Sequence, residues 1–546
     1  MFNHRATFVL SLLIVALCYL NSLPNDFVFD DGPIAGSNPA IRTISPIQFL
    51  KSPYWAKQQY EGIYRPFTIF SLSVDYAIWK RWAPGFRLTN LALHSINGFL
   101  VFLLCTSLVG EGMVPLAAML IYLVHPVHTE AVTSIVGRSD LFAACFFMSA
   151  WLLFRRGKTL WPAALFLLAL LSKESAIVLP AILVLDVWLS RREVPWKRFA
   201  VMTSVAVAYL ALRFLVLGGL GIPASAQYMG GHLTYLERLM TSGRVFIQYL
   251  RLLLFPVDLA GDYDFNAIPI AQVSHWDAWL GLLLIAAIAA GALLYRRRNW
   301  TVSFGVLFAF IVFIPASNWI TPISVLMAER FLYLPLIGLS IAAAVIFGQL
   351  RDPRLQRFIG IGIVIIAMVL CNSHDYTRRN DFTFFGNMVR VVPNSAKARL
   401  GYGFALIEAG RNDDAARQLE AGLRIIPDYP ELLATLAMTK IGAKDCINAW
   451  PLLDRALQID PGHADTRRRM GDCYFKEGKI REAESMYHQA VDSIPYPDSM
   501  LYFMWGRSLE GTGQQNSALA AYRRGALIDP ENVLIQQKVA ILSNRR

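Results

Sequence analysis

Long apolar runs recur through the first 372 residues and constrain the fold more than any other feature of the sequence. A helix needs about 20 mostly apolar residues to cross a bilayer, and the runs predict eleven crossings. They cover residues 6–20, 89–108, 113–133, 139–154, 160–171, 175–189, 198–217, 277–295, 302–316, 331–349 and 357–372. The shorter runs must extend into their more polar flanks. With 55% hydrophobic and only 16% charged residues, the composition argues against a water-soluble protein of 546 residues.

The charge distribution predicts an orientation. Residues 1–392 carry 31 Lys and Arg against 20 Asp and Glu, whereas residues 393–546 carry 20 against 19. Short basic loops stay in the cytoplasm, and an uncleaved N-terminal signal anchor with eleven crossings places four basic clusters there, at 155–158, 191–198, 296–298 and 351–357. This topology requires that the arginine-containing stretch 239–256 lies at the membrane surface as an amphipathic helix. The C-terminal segment is then outside the cytoplasm.

The C-terminal segment is repetitive. Proline recurs every 34 residues at Pro393, Pro427, Pro461 and Pro495, and Pro530 follows after 35. Small residues keep the same phase, at Ala415, Ala449, Ala483 and Ala518 and at Gly422, Ala456, Ala490 and Gly525. This period is the signature of tetratricopeptide repeats, which stack into a superhelix with a concave face. We therefore predict a membrane unit at 1–375 with an external loop at 21–88, a linker at 376–392, and a domain of about four repeats plus a capping helix at 393–546.

Ionisable residues gather where the predicted spans end. In the topology above they all lie on the non-cytoplasmic side, where charges close to the bilayer are rare unless they are paired or functional. The set comprises Asp30, Asp31, His125, His128, Glu130, Arg138, Asp140, Lys173, Glu174, Asp262, Asp264, Glu329 and Arg330. Their convergence predicts one polar site at the outer boundary of the membrane.

The acidic residues and histidines of this set allow more than one role. Asp30 and Asp31 suit a general base acting on a hydroxyl, or a metal site; the alternative is a turn at Asp31 with a capping carboxylate. His125, His128 and Glu130 have the chemistry of zinc or manganese ligands, although Pro126 interrupts the turn between the histidines. Their alternatives are polar capping of a span end, or hydrogen bonds to a phosphate.

The basic residues allow two roles. Guanidinium groups donate paired hydrogen bonds to oxyanions, so Arg138 and Arg330 are candidates to bind a phosphate. The alternative is an internal ion pair, with Asp140 and Glu329 respectively. Lys173 and its neighbour Glu174 allow the same two interpretations.

Six short motifs, in order, now make a resemblance specific. They are Asp30-Asp31, Tyr64-Arg65-Pro66-Phe67, the run from His125 to Val132, Gly137-Arg138-Ser139-Asp140, Ser172-Lys173-Glu174-Ser175 and the run from Ala328 to Pro335, followed by the repeats. The chain resembles the transmembrane and tetratricopeptide-repeat protein O-mannosyltransferases, which belong to the GT-C glycosyltransferases. The resemblance covers nearly the whole chain and implies an all-α, polytopic GT-C-like domain before the repeats.

The resemblance also implies a function. Such enzymes transfer a sugar, here mannose or another hexose, from a polyprenyl-phosphate donor to a hydroxyl of a protein Ser or Thr, with inversion. By similarity Asp30 and Asp31 match the catalytic acidic motif and are possible ligands of Mg²⁺ or Mn²⁺. The remaining candidates bind the donor phosphate or line the site: Arg65, His125, His128, Glu130, Arg138, Asp140, Lys173, Glu174, Glu329 and Arg330.

The expected partners are the lipid-linked sugar, the membrane and an acceptor protein bound by the repeats; nucleic acid is not expected. The expected location is a bacterial inner membrane or the endoplasmic reticulum, with the site on the periplasmic or lumenal face. The alternative from another class is a non-catalytic, membrane-anchored repeat scaffold for protein assembly. A transporter is the weaker alternative, because the polar residues gather on one face.

Overall fold

The computed structural model describes residues 3–51, 54, 63–218, 233–263, 266–320, 323, 325–494 and 497–544. Within these ranges all regular secondary structure is helical, which confirms the all-α prediction. The chain forms two compact units: unit 1 comprises 1–55, 59–264 and 268–384, and unit 2 comprises 56–58, 265–267 and 385–546. Two residues named in the predictions, Asp264 and Pro495, lie outside the described ranges.

Unit 1 is a bundle of apolar helices. In chain order they are α1 (His4–Tyr19), α2 (Pro46–Lys51), α3 (Pro66–Trp79), α4 (Ala83–Val109), α5 (Met113–Val124), α6 (Thr129–Thr133), α7 (Arg138–Arg155), α8 (Leu160–Ser172), α9 (Leu179–Leu189), α10 (Trp196–Leu217), α11 (Tyr235–Leu254), α12 (Trp276–Tyr295), α13 (Trp300–Phe313), α14 (Pro335–Phe347) and α15 (Pro353–Thr377). Helix α16 (Asp381–Val391) begins in unit 1 and lies within the segment predicted to be a linker.

Six helices of the described chain are long and apolar enough to cross a membrane: His4–Ser22, Ala83–Val109, Ile135–Arg155, Trp196–Leu217, Trp276–Tyr295 and Pro353–Thr377. A bent pair, Met113–Val124 with Pro126–Thr133, makes a seventh if it forms one span. Further apolar helices, such as α8, α13 and α14, are shorter. The chain is therefore a membrane protein, while the predicted number of crossings and their orientation stay predictions.

The segment predicted as an external loop, 21–88, is not an open loop. Helix α3 lies inside it, and α4 already begins at Ala83. Side chains from this segment, including Ile34, Ile41 and Phe86, form a buried apolar cluster. The segment is thus partly helical and packed, because polar residues interrupt the apolar pattern of α3 and hide this helix from hydropathy alone. Its external location stays a prediction.

The polar residues and the basic loops occupy opposite ends of unit 1. Hydrogen bonds and ion pairs join the C-terminal ends of α5 and α8 to the N-terminal ends of α7 and α14; we call this the site end. At the other ends of the helices, Arg155 donates to the carbonyl of Ser107 at 2.8 Å, and Arg296 lies 4.7 Å from the ring centre of Trp188. These two basic loops thus lie at the end of the bundle opposite the site end.

Helix α11 corresponds to the stretch predicted to lie at the membrane surface. It packs closely against the first turns of α12, where a Cβ on Gly281 would lie only 1.9 Å from the carbonyl oxygen of Gly243. Its Arg244 pairs with Asp277, with 2.7 Å between Nε and Oδ2, and its Tyr249 hydroxyl donates to the carbonyl of Ala328. All of these contacts lie at the site end of unit 1.

Unit 2 consists of paired helices. They are α17 (Ala396–Glu408), α18 (Asn412–Ile425), α19 (Pro430–Gly442), α20 (Cys446–Ile459), α21 (Ala464–Lys476), α22 (Ile480–Asp492), α23 (Ser499–Gly511), α24 (Gln515–Ile528) and a final α25 (Val533–Ser543). Ala415, Ala449, Ala483 and Ala518, predicted at helix contacts, are all buried. Four helix pairs and a capping helix are as the 34-residue period predicts.

Candidate functional site

The two adjacent carboxylates of the acidic pair have different surroundings. Asp31 is 1% exposed, and its Oδ1 accepts hydrogen bonds of 3.0 Å from the Ser134 hydroxyl and the Val136 amide. Its Oδ2 lies 4.0 Å from the guanidinium of Arg87. Asp30, by contrast, is only partly buried. The fold therefore engages Asp31 internally and leaves Asp30 as the more accessible carboxylate.

Two ion pairs at the site end, one buried and one partly exposed, connect the C-terminal end of α8 with its neighbours. Lys173, at the C-terminal end of α8, places its Nζ 2.6 Å and 2.7 Å from the two carboxylate oxygens of Asp140, in the first turn of α7. The next residue, Glu174, receives two hydrogen bonds from Arg65, which precedes α3: Nε to Oε2 at 3.0 Å and Nη2 to Oε1 at 2.6 Å. This parallel, two-bond geometry is available to Arg and not to Lys.

A third ion pair joins α6, which follows the break after α5, to the turn before α14. The amide of Arg330 donates to Oε2 of Glu130 at 2.8 Å, and its guanidinium pairs with the other oxygen. The Arg330 side chain remains 22% exposed. The ring of Phe331 lies between two cations, with Lys173 Nζ and Arg330 Cζ each 5.5 Å from its centre. The ion pairs of Lys173 and Arg330 are thus neighbours in one cluster.

Electrostatic effects connect Asp30 to this cluster. Burial alone would lower the pKa of Arg330, but the carboxylates of Glu130 and Asp30 outweigh it and raise that pKa above its ordinary value. Burial lowers the pKa of Lys173, against the attraction of Asp140, and the nearby Arg330 lowers it further. The effect on Arg330 requires a short distance, so Asp30 lies near Arg330, one of the cations selected from the sequence.

Glu174 is held in its ionised form. Burial opposes ionisation, but the charge and hydrogen bonds of Arg65 outweigh it and lower the pKa of Glu174 to about 2. Arg65 also lies 5.4 Å from the ring centre of Tyr54. Because Nε–H and one N–H of Nη2 already bind a carboxylate, Arg65 must exchange partners before it can offer this pair of donors to a phosphate.

Arg138 is brought into the interior, not into the cluster. Its side chain is fully buried and donates to Asn90 Oδ1 at 3.0 Å and to the carbonyl of Phe86 at 2.7 Å. Its ion pair is with Asp75 of α3, at 2.5 Å, and not with the predicted partner Asp140. Although Asp140 is close to it in the sequence, Arg138 pairs with a carboxylate of another helix. Its N–H groups donate to the Asn90 side chain and to a backbone carbonyl in the interior.

Glu329 also differs from the prediction that paired it with Arg330. It is 1% exposed, and its Oε1 accepts from the amides of Ala260 and Gly261, at 2.7 and 3.1 Å, and from the Tyr263 hydroxyl at 2.6 Å. Burial and the nearby charge of Glu130 raise the pKa of Glu329 to about 7. This carboxylate therefore attaches the loop before α12 to the turn that carries Arg330.

The histidines do not form a metal site with Glu130. His125 Nε2 is hydrogen-bonded to the carbonyl of Leu253 at 3.1 Å, whereas His128 is fully buried against the rings of Tyr122 and Tyr333. Among the described residues, no group of three or more His, Cys, Asp and Glu side chains is arranged to hold a metal ion.

The acidic pair fits a metal poorly as well. Oδ1 of Asp31 accepts two hydrogen bonds and Oδ2 lies 4.0 Å from the guanidinium of Arg87, so both oxygens already face donors of the protein. Two carboxylates that bind one cation must both offer oxygen lone pairs to it. We therefore derive no step through a metal at this pair.

Three contributors to the site were missed by sequence reasoning. Arg87 of α4 is 1% exposed and donates to the carbonyls of Asn25, Asp26 and Thr133. Asp75 neutralises Arg138, and Asp381 accepts the amide of Phe29. Arg87 and Asp75 lie within helical segments, where only the unusual burial of a charge indicates a role; Asp381 lies in the predicted linker.

The tetratricopeptide repeat family matches residues 383–439 and 440–495. Protein O-mannosyl-transferase F38B6.6 of Caenorhabditis elegans is 26% identical over 78% of this chain and 63% of its own length. Protein O-mannosyl-transferase TMTC3 of Homo sapiens is 24% identical over 97% of this chain and 65% of its own, and TMTC4 of Homo sapiens is 26% identical over 74% and 64%.

This chain is similar to the protein O-mannosyl-transferases. The resemblance found in its motifs is thereby confirmed, and its C-terminal unit is a tetratricopeptide-repeat domain. The chain spans a little under two thirds of the length of these O-mannosyl-transferases. Among solved structures, a tetratricopeptide-repeat protein of Thermus thermophilus aligns with 34% of this chain and 96% of its own, at 15% identity and a TM-score of 0.28.

Proposed function

We propose that this protein is an integral-membrane glycosyltransferase that transfers mannose or another hexose from a polyprenyl-phosphate donor to a hydroxyl group of a protein, on Ser or Thr. The names of its relatives support the sugar and the protein acceptor. The proposal is carried by one observation within the structure. A partly exposed carboxylate, Asp30, acts electrostatically on Arg330, which belongs to a cluster of three cations at one end of an apolar bundle.

Asp30 is suited to be the general base. The acceptor hydroxyl attacks the anomeric carbon of the donor, its proton passes to the Asp30 carboxylate, and the bond from that carbon to the phosphate oxygen breaks. The configuration at carbon inverts because the nucleophile enters opposite the leaving group. Asp31 is less suited to this role, since its Oδ1 already accepts hydrogen bonds from Ser134 and Val136.

The departing polyprenyl phosphate gains negative charge that needs nearby cations. Arg330 and Arg65 are the more exposed of the three, at 22% and 14%, whereas Lys173 is 6% exposed. We assign the phosphate to Arg330 first, because its exposed guanidinium is the one on which Asp30 acts. A donor anchored by an isoprenoid tail accounts for a site at the end of apolar helices, with the tail in the bilayer and the sugar at its surface.

The proposed orientation places this end of unit 1 at the periplasmic or lumenal face, with the basic loops in the cytoplasm. The repeats would then lie on the same side as the site. We propose that their role is to bind the acceptor protein or an assembly partner, since stacked tetratricopeptide repeats expose a concave face for binding.

The decisive experiment compares Asp30→Asn with Asp26→Asn. Both replace a carboxylate by an amide of equal size in one loop, and the Asp26 side chain is exposed. Purified protein is incubated with polyprenyl-phosphate sugars and with proteins from the same membrane, and products are identified by mass spectrometry. We expect Asp30→Asn to lose at least about 100-fold in turnover with unchanged thermal unfolding, and Asp26→Asn to remain close to wild type.

Sugar transfer by Asp30→Asn at the wild-type rate would reject the base assignment. Absence of transfer from every donor by the wild type, together with capture of a protein partner that Asp30→Asn leaves intact, would instead favour the membrane-anchored scaffold.

A further inference from the structure

The loop that carries the acidic pair is attached to the segment that leads into the repeats. Within unit 1, the Asn25 side chain donates to the carbonyl of Asp375 at 3.2 Å, and the amide of Asp26 donates to the carbonyl of Arg379 at 2.9 Å. At the start of α16, Asp381 Oδ1 accepts the amide of Phe29 at 2.8 Å. Residues 375–384 therefore contact three positions of the loop, the last immediately before Asp30.

Phe29 has an unusual backbone conformation. Its φ is +54°, in the left-handed region that a residue with a Cβ seldom adopts, and that costs free energy unless the surroundings hold it. Two contacts hold it here: the hydrogen bond to Asp381, and the ring of Phe384, whose centre lies 5.6 Å from that of Phe29. Because this residue turns the chain, it sets the direction in which Asp30 leaves the loop.

The loop also has contacts on its other side, with the helical bundle. Asp31 is attached to the segment between α6 and α7 through Ser134 and Val136. Arg87 of α4 donates to the carbonyls of Asn25 and Asp26. Asp30 thus lies between two fixed neighbours, one held by the helical bundle and one held by Asp381.

We propose that Asp381 is a positioning residue for Asp30: its carboxylate stabilises the left-handed Phe29 and so aims the general base at the reacting hydroxyl. The inference rests on the proposed function. It also gives the segment 375–384 a role beyond that of a linker, because a displacement of this segment would move the base.

The first test removes the acceptor oxygen and compares it with a change that keeps one. Asp381→Ala cannot accept the Phe29 amide, whereas Asp381→Asn retains Oδ1. We expect Asp381→Ala to lower kcat by about 10- to 100-fold, as a displaced catalytic group does, with KM for the donor within roughly twofold of wild type. Asp381→Asn should recover most of kcat. A loss shared equally by both variants, or a loss only in KM, would overturn the assignment.

The second test uses Phe29 itself, so that the inference does not depend on one variant folding. Phe29→Gly and Phe29→Ala both lose the contact with Phe384, but only glycine adopts a positive φ without strain. We expect kcat of Phe29→Gly to exceed that of Phe29→Ala by roughly threefold or more, since the alanine destabilises the productive loop. Equal rates would show that the left-handed conformation does not matter.

A readout without turnover separates this inference from the proposed function. Hydrogen–deuterium exchange of the peptide covering residues 25–31 is compared in Asp381→Ala, Asp381→Asn and wild type. Faster exchange in the alanine variant alone supports the positioning role even if no sugar transfer is found, in which case only the proposed function fails. Unchanged exchange in Asp381→Ala refutes the positioning role, whatever the activity.

Discussion

The buried pair of Lys173 and Asp140 allows a prediction of unequal losses of stability. The two side chains are 6% and 5% exposed, and Nζ lies within 2.7 Å of both carboxylate oxygens. Removing one partner of a buried pair leaves an uncompensated charge and costs about 3–5 kcal/mol. The two single variants should lose different amounts of stability within this range. In one variant the Asp140 carboxylate remains and in the other the Lys173 ammonium remains, and the surrounding charges stabilise these two groups differently.

Lys173→Met leaves the Asp140 carboxylate close to other cations, because the charge of Asp140 raises the pKa of both Arg65 and Arg330. We expect a loss near about 3 kcal/mol. Asp140→Asn leaves the Lys173 ammonium beside those same two cations, which already lower its pKa. We expect a loss near about 5 kcal/mol. The double variant, with neither charge, should be more stable than Asp140→Asn alone.

Thermal unfolding in detergent, followed with a thiol-reactive dye, measures these differences. Cys18, Cys105 and Cys371 of unit 1 are buried, so we expect them to react on unfolding. Replacing the partly exposed Cys145 together with Cys446 and Cys473 by alanine confines the signal to these three thiols. A loss of this size should lower the unfolding midpoint by roughly 5 °C or more. Equal midpoints for the two single variants, or a double variant less stable than Asp140→Asn, would refute the electrostatic reasoning.

Three further outcomes are expected. The pKa of Glu329 is raised from 4.5 to about 7. Between these pH values the native state retains a proton that the unfolded state releases, so the unfolding midpoint should fall as the pH rises from 4.5 to about 7. This fall should be smaller in Glu329→Gln. Gly281→Val should destabilise the packing of α11 on α12 by about 1–3 kcal/mol, seen as a lower midpoint, whereas the same change at Gly291, which has no neighbour within 4 Å of a Cβ, should have little effect. Arg65→Lys should lower the affinity for the donor, measured as a rise in KM, because lysine cannot reproduce the two parallel bonds; an unchanged KM would show that Arg65 serves only Glu174.

The architecture followed from sequence where the signal is periodic. The 34-residue spacing of prolines and small residues predicted each helix pair of unit 2, because a repeated contact imposes the same small residue each time. The convergence of charged span ends was also predictable, since the ends of antiparallel helices on one side of a bundle meet. Lys173 and Arg330 were found in this way.

Pairing within the site was not predictable. Arg138 pairs with Asp75, 63 positions before it, and Arg330 with Glu130, 200 positions before it. Such choices depend on how each helix is rotated and shifted against its neighbour, which a single apolar sequence leaves open. For the same reason, the sequence did not show that Asp31 is engaged inside the protein while Asp30 is more accessible. Asp31 pairs with Arg87, which lies later in the chain on α4.

The pairing of every cation in the cluster has a consequence for ligand entry. Each of Arg65, Lys173 and Arg330 already faces a carboxylate, so that an arriving phosphate meets a charge-balanced surface and not an electropositive hole. Binding becomes an ion exchange, in which the anion competes with Glu174, Asp140 or Glu130 for the same donors. A simple inorganic anion gains little binding free energy from this exchange of partners. A ligand that also places a tail in the bilayer gains additional binding free energy and can compete.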